Sequence, residues 1–269
     1  MHRTGIRPRL GQNFLVSATA QVAIVDALGN AAHRTVVEIG PGRGAITTLL
    51  ARRAGRLVSI ELDRELAARL REQFAEQGSV EVRNEDVLET DFAALRGADP
   101  ARGRLLVVGN LPYYITSDIL LRLFHFAGDI DRAVVMIQRE VAERVAAESG
   151  SSDYGLLSAT AQLYARVEKL MTLPPGAFSP PPQVHSTVLR LTMAPRFAEL
   201  NVAAEPFLDF LKSGFAQKRK MLAKNLRNAG YDSAEISAAL DVAGIPPQSR
   251  AEEVGLDRMA RLFHQLSRL

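Results

Sequence analysis

Thr35-Val-Val-Glu38-Ile-Gly40-Pro-Gly42-Arg-Gly44 is the stretch that decides the fold. Its first five residues are short, β-branched and mostly apolar, which is the character of a strand covered on both faces. A glycine-rich turn follows and leads into an Ala- and Leu-rich helical stretch. Glycine lets the backbone turn tightly and approach a ligand with no Cβ in the way. The spacing is G-x-G-x-G, not the dinucleotide-binding G-x-G-x-x-G. Alone, the motif is equally readable as an ordinary turn.

Further along, residues 57–60, 80–83, 105–108 and 133–137 are brief, rich in Val, Ile and Leu and mostly without polar alternation, and they also read as strands. Helical patterns separate them. Leu66, Leu70 and Phe74 recur at fourfold spacing with Asp63 placed as an N-cap. Ser117 is placed to cap the next helix, whose Leu120, Leu123 and Phe124 share a face. Strand and helix alternating at this rhythm predict an α/β domain with a parallel sheet wound by right-handed crossovers. The proline-rich stretch 174–182 has the composition of a linker, but the strand-like run 187–191 beyond it suits the same sheet. The boundary is therefore expected near Ala194 and Pro195. From Pro206 onward the pattern is helical, with Phe207, Phe210, Leu211, Leu262, Phe263 and Leu266 supplying apolar faces. Residues 1–195 are read as one domain and 196–269 as a small all-helical one.

The composition of the 269 residues is globular, with 33 basic and 30 acidic side chains for a net charge of +3. That excess permits a polyanionic partner without requiring one. The chain has no cysteine, which excludes disulfides, Cys-ligated zinc, iron–sulfur clusters and thiol catalysis. His2, His33, His125, His185 and His264 are scattered without ligand spacing, so no metal site is expected. Arg3, Arg7 and Arg9 precede no uninterrupted apolar stretch, and no later segment has the length a membrane span needs. The expectation is a soluble, cytoplasmic protein.

Polar groups stand at the ends of successive strands. Glu61 ends the second strand about twenty residues after the glycine turn, where a carboxylate accepts hydrogen bonds from ribose hydroxyls. Asp86, just past the third strand, is suited to accept from the exocyclic amine of an adenine. Each is also readable singly, as a solvated carboxylate or a turn residue. Together they line the crevice where open α/β sheets bind ligands.

The fourth strand ends in Asn110-Leu111-Pro112-Tyr113, followed by Tyr114. An amine conjugated to a ring is a poor nucleophile because its lone pair is delocalised. An Asn side-chain oxygen and a neighbouring backbone carbonyl that both accept from the NH2 group free that lone pair for attack. Proline removes one donor and stiffens the turn so that a carbonyl faces inward. The adjacent aromatic stacks on a flat base and holds it in line with the methyl group to be transferred. No metal or strong base is required, since the amine becomes acidic once alkylated.

With these residues in view, the chain resembles the small-subunit ribosomal RNA adenine N6,N6-dimethyltransferases (KsgA/RsmA type). The likeness rests on Leu10-Gly-Gln-Asn13-Phe-Leu15, Gly40-Pro-Gly42 and Asn110-Leu-Pro-Tyr113-Tyr114-Ile-Thr116. It extends through Gln138-Arg-Glu-Val-Ala142, Phe178-Ser-Pro-Pro-Pro182, Phe215-Ala-Gln-Lys-Arg-Lys220 and Arg250-Ala-Glu252. The resemblance implies a Rossmann-like class I methyltransferase sheet with S-adenosylmethionine as methyl donor. It places donor contacts at Asn13, Leu15, Gly40, Gly42, Glu61, Asp86 and Asn110, and an aromatic pair around a flipped adenine at Tyr113 and Phe178. It implies two adjacent adenosines in the hairpin near the 3′ end of small-subunit rRNA as substrate, methylated within the immature 30S subunit by a monomeric enzyme. It also moves residues 174–182 from linker to catalytic domain.

Lys218, Arg219, Lys220, Lys224 and Arg227, with Lys212, form a basic stretch containing no acid. Lys220, Lys224 and Arg227 are expected on one helical face. Such a concentration suits phosphate contact, although a solvated helix face has the same composition. Arg139 and Arg144 are placed to border an RNA groove. Three other functions share parts of this pattern. A large-subunit rRNA adenine methyltransferase of the macrolide-resistance type shares the chemistry. An assembly factor with incidental methylation would use the same surface. Methylation of a protein glutamine or free nucleobase would leave the basic stretch unexplained.

Overall fold

The structure, a computed structural model, describes residues 13–97 and 99–267. Arg3, Arg7, Arg9 and the Leu10-Gly-Gln part of the N-terminal motif lie outside them. The strands are β1 (Phe14–Leu15), β2 (Thr35–Ile39), β3 (Arg56–Glu61), β4 (Val80–Asn84), β5 (Leu105–Asn110), β6 (Ile130–Gln138), β7 (Ala165–Leu173), β8 (Phe178–Ser179) and β9 (Ser186–Met193). Seven of them form one sheet in the order β4-β3-β2-β5-β6-β9-β7, and β1 pairs with β8 in a separate ribbon. From β4 to β6 all neighbours are parallel. The last two strands correct the expectation of a wholly parallel sheet. β9 runs antiparallel to β6, and β7 antiparallel to β9.

β7 escaped the sequence reading for a physical reason. It is an edge strand, and its Arg166, Glu168 and Lys169 are exposed. Charged residues blunt an edge against further pairing and also break the apolar run that marks a central strand. β2, by contrast, is buried at every residue. Its alternate side chains enter two cores. Val37 and Ile39 pack with Val58, Ile60, Val107 and Val135 on one face. Val36 packs with Leu57, Leu106, Val134 and Met136 on the other. Each fully buried aliphatic side chain contributes on the order of 1.5–3 kcal/mol.

The helix Arg64–Gln73 begins as expected: Asp63 accepts from the amides of Glu65 and Leu66 at 2.9 and 3.2 Å. The helix Thr116–His125 does not begin at a Ser117 cap. Ile115 occupies the cap position, and Thr116 Oγ1 donates to the Pro112 carbonyl at 3.0 Å instead. The linker reading of 174–182 is also corrected. β8 lies inside that stretch, in register with β1 as Leu15↔Phe178 and Phe14↔Ser179.

After β9 the chain is helical, with helices Phe197–Leu200, Ala204–Gly214, Leu222–Asn228, Ser233–Val242 and Leu256–Leu266. Their core includes Phe207, Phe210, Leu226, Leu240 and Leu262. It also takes in Ala147, Tyr154, Ala159 and Leu163 from earlier in the chain, so apolar packing continues across the position near Ala194 and Pro195 where the sequence pattern places a boundary. The basic stretch is not one helix. Lys218, Arg219 and Lys220 lie in the turn before Leu222–Asn228, so Lys220 does not share a helical face with Lys224 and Arg227.

Candidate active site

In the sheet order, β2 lies between β3 on one side and β5 on the other, so the chain changes direction across the sheet at β2. The crevice beyond the carboxyl ends at such a switch point is where open α/β sheets bind ligands. A cavity of about 580 Å³ opens there, lined by residues of the glycine turn, the ends of β3 and β5, the β4 loop and the N-terminal strap 13–16. Its size falls within the range of about 300–1,000 Å³ typical of small-molecule sites.

The glycine turn is held from below. Glu61 is 6% exposed. Its Oε2 accepts the Gly42 amide at 3.0 Å and its Oε1 the Asp63 amide at 2.9 Å. Burial raises its pKa, and the amides of Asp63 and Gly42 oppose that rise. Gly42 has φ +59°, and a Cβ there would stand 2.9 Å from the Phe14 ring, so only glycine fits beneath the strap. The Arg43 guanidinium lies 4.4 Å from the centre of the same ring. Gly40, with φ +65°, and Gly44, with φ +82°, are the other left-handed positions of the turn. Asp86 lines the cavity, and its Oδ1 accepts the Leu88 amide at 2.9 Å.

At the end of β5, Asn110 Nδ2 donates to the backbone carbonyl of Asn13 at 2.9 Å. That contact fixes which way the amide faces and leaves Oδ1 without a partner among the described residues. The turn that follows distinguishes its two carbonyls. Pro112 O accepts from Thr116 Oγ1 and from the Ile115 amide. Leu111 O has no partner among the described residues, and Pro112 brings no N–H to the turn. Tyr113 lines the cavity, and its hydroxyl sits 3.0 Å from Ser186 Oγ.

Asn13, Leu15, Gly40, Gly42, Glu61, Asp86, Asn110, Leu111, Pro112 and Tyr113 all line this one cavity. Phe178 does not. It is 3% exposed and packed in the core that holds Leu15 and Val188. The β1–β8 ribbon needs this side chain for its own packing.

Two residues acquire roles that sequence reasoning missed. Glu38 is 2% exposed and accepts from Ser59 Oγ at 2.8 Å. Burial pushes its pKa up to about 7. The available signal was a carboxylate inside an otherwise apolar strand. Ser186 gave none, since its partner Tyr113 is 73 residues away in the chain.

The five basic residues are exposed and stand apart from the cavity lining. Lys218 Nζ donates to the Ser152 carbonyl at 2.6 Å. Buried Asn225 donates to the carbonyls of Gly214 and Gln217 at 2.7 and 3.2 Å, which anchors the start of the basic turn. Among the described residues no group of three or more His, Asp or Glu is placed to hold a metal ion, and no helix is long and apolar enough to cross a membrane.

Comparison with known proteins bears on this arrangement. Residues 3–268 match the family model described as ribosomal RNA adenine dimethylase. The chain is 62% identical to a protein of Acidobacterium capsulatum named ribosomal RNA small subunit methyltransferase A, over 97% of this chain and 91% of that one. A protein of the same name from Koribacter versatilis is 51% identical, over 97% and 94%. The crystal structure of the 23S rRNA methyltransferase ErmE superposes with a TM-score of 0.71 at 27% identity, covering 95% of this chain and 100% of that one.

Proposed function

The chain belongs to the ribosomal RNA adenine dimethylase family, and on that basis we propose that it dimethylates N6 of two adjacent adenosines in the 3′-terminal hairpin of small-subunit rRNA. It is an rRNA adenine methyltransferase, and its methyl donor is S-adenosylmethionine. The small-subunit reading is favoured over the large-subunit one by 62% identity to a small-subunit methyltransferase against 27% to a 23S enzyme. The same family reading carries the action on the immature 30S subunit, the cytoplasmic location and the monomeric state.

The residues present fit the donor. The cavity has the volume, and carboxylates of Glu61 and Asp86 line it where ribose hydroxyls and an adenine amine need acceptors. Asn13, Leu15 and Gly40 complete that half. S-adenosylmethionine, when bound, supplies an activated methyl group.

The observation that carries the mechanism is the pair of unpartnered acceptors beside it, Asn110 Oδ1 and Leu111 O. Both accept N–H groups of the adenine amine, drawing its lone pair out of conjugation with the purine and toward the methyl group. Pro112 holds the turn rigid, and Tyr113 stacks on the base, oriented by its hydroxyl contact to Ser186. The methylated amine releases its proton to solvent. Lys218, Arg219, Lys220, Lys224 and Arg227 take phosphates of the RNA. Phe178 supports the site through β1, which it pairs with at Leu15.

Incubation with labelled S-adenosylmethionine and either under-methylated small subunits or bare large-subunit RNA, followed by mapping, tests the reading. Label is expected on adjacent adenosines of the small subunit. Label confined to large-subunit RNA would overturn it. Neutralising Lys220, Lys224 and Arg227 together is expected to weaken RNA binding and to flatten its salt dependence, by about 0.7–0.9 in logarithmic slope for each phosphate left without a cation. An unchanged slope would return these residues to an ordinary solvated surface.

A further inference from the structure

Tyr114 is 63% exposed and is the only aromatic among the exposed large apolar side chains of the described residues. It stands on the rim of the active-site cavity. Its hydroxyl has no hydrogen-bond partner and its ring no aromatic neighbour among those residues, whereas Tyr113 beside it is tethered to Ser186. The two lie in a single 3₁₀ turn, Tyr113–Ile115. With three residues per turn, consecutive side chains point about 120° apart. The two rings therefore cannot share one base.

We infer that Tyr114 is a stacking platform for the nucleotide next to the reacting adenosine. This rests on the methyl-transfer reading above and sharpens it. If Tyr113 holds the base inside the cavity, the neighbouring nucleotide lies at the mouth, where a bare aromatic ring faces water. RNA recognition of unpaired segments works by stacking splayed bases on such rings. Stacking on Tyr114 removes that ring from water and anchors the second base while the first is modified. The ring acts on binding of the RNA strand and not on the chemistry at N6.

The test uses under-methylated small subunits and a synthetic 3′-hairpin RNA with 2-aminopurine in place of one adenosine of the pair. Tyr114→Ala is expected to raise the KM for subunits by about 5- to 160-fold, the range of base–aromatic stacking, while Tyr114→Phe stays within about twofold of wild type. Affinity for S-adenosylmethionine, measured by calorimetry, is expected to hold in both variants. The 2-aminopurine at the neighbouring position is expected to be quenched by wild type and Tyr114→Phe but not by Tyr114→Ala. An unchanged KM in Tyr114→Ala, or equal kcat losses in Ala and Phe variants, overturns the platform. Failure of the wild type to methylate small-subunit adenosines instead overturns the functional reading, so the two failures are distinguishable.

Discussion

The two halves of the cavity are built differently. Beneath the glycine turn both carboxylates are tied into the protein. Glu61 takes two backbone amides, and Glu38 takes the Ser59 hydroxyl. Across the cavity, at the end of β5, Asn110 Oδ1 and Leu111 O have no partner among the described residues, and Tyr114 is bare. In one half the carboxylates hold the shape of the turn as well as lining the cavity, and in the other the acceptors are left to a ligand. Unpartnered acceptors are tolerated here because they face an open cavity and not a dry core. A site that must bind a donor and also activate a second substrate divides naturally in this way.

Asn110→Ala should disable the open half. Removing one positioned acceptor is expected to lower kcat by about 10²–10³-fold, with RNA binding retained. Single-turnover kinetics with saturating subunits would show it, and turnover near wild type would remove the amine-polarising role.

The next effect belongs to the tied half. Glu38 titrates near pH 7 in the folded chain, against 4.5 for an ordinary glutamate. Between those values the folded state binds more protons than the unfolded one, so stability falls as pH rises through the window and stays lowered above it. Glu38→Gln removes the ionisation. In urea melts the variant is expected to gain on wild type by up to about 3 kcal/mol at pH 8 and by about 1 kcal/mol or less at pH 5. Parallel pH profiles would show that the carboxylate is not held neutral.

Glu61→Gln probes the same half at its contact with the turn. Glutamine has one carbonyl oxygen for the two amides of Gly42 and Asp63, so one buried N–H loses its partner at a cost of about 1–3 kcal/mol. Thermal melts should register the loss, and calorimetry should find donor affinity weakened, with RNA affinity unmoved. Equal weakening of both ligands would mean that the halves are not separable.

The smallest effect crosses between them. Tyr113→Phe and Ser186→Ala each remove the same 3.0 Å hydrogen bond. Each is expected to lower kcat/KM by about two- to tenfold, and the double variant by no more than either. Additive losses in that cycle would show that the hydroxyls act independently.

Much of this was legible before any coordinates. The four inner parallel strands carry short, mostly apolar runs because they are covered on both faces, and β4 at the edge keeps Val80 and Val82 in alternation. Glu61, Asp86 and Asn110 stand where those runs end, so their common location followed from the strand pattern alone. β7 was not legible, because Arg166, Glu168 and Lys169 break its apolar pattern, whereas β4, the other edge strand, keeps Val80 and Val82 in alternation. Leu15 and Asn13 came from resemblance only, since no local pattern joins a strap to a distant sheet. The basic stretch was legible in composition but not in geometry. Helix Leu222–Asn228 begins after Lys220, and the turn before it is anchored by Asn225, a neutral residue that charge patterning passes over.

The α/β order, the glycine turn, the acceptor chemistry of Asn110-Leu-Pro-Tyr113 and the family all follow from the amino-acid order. They are written in runs of a few residues, where spacing translates directly into backbone path. Three-dimensional packing alone established that Asn13 orients Asn110 across 97 residues of chain, that Ser186 holds Tyr113 across 73, and that Phe178 packs in one core with Leu15 and Val188. Such contacts depend on which strands become neighbours and on what each core needs to fill its space. Both are settled for the whole chain at once, and no single segment encodes the answer.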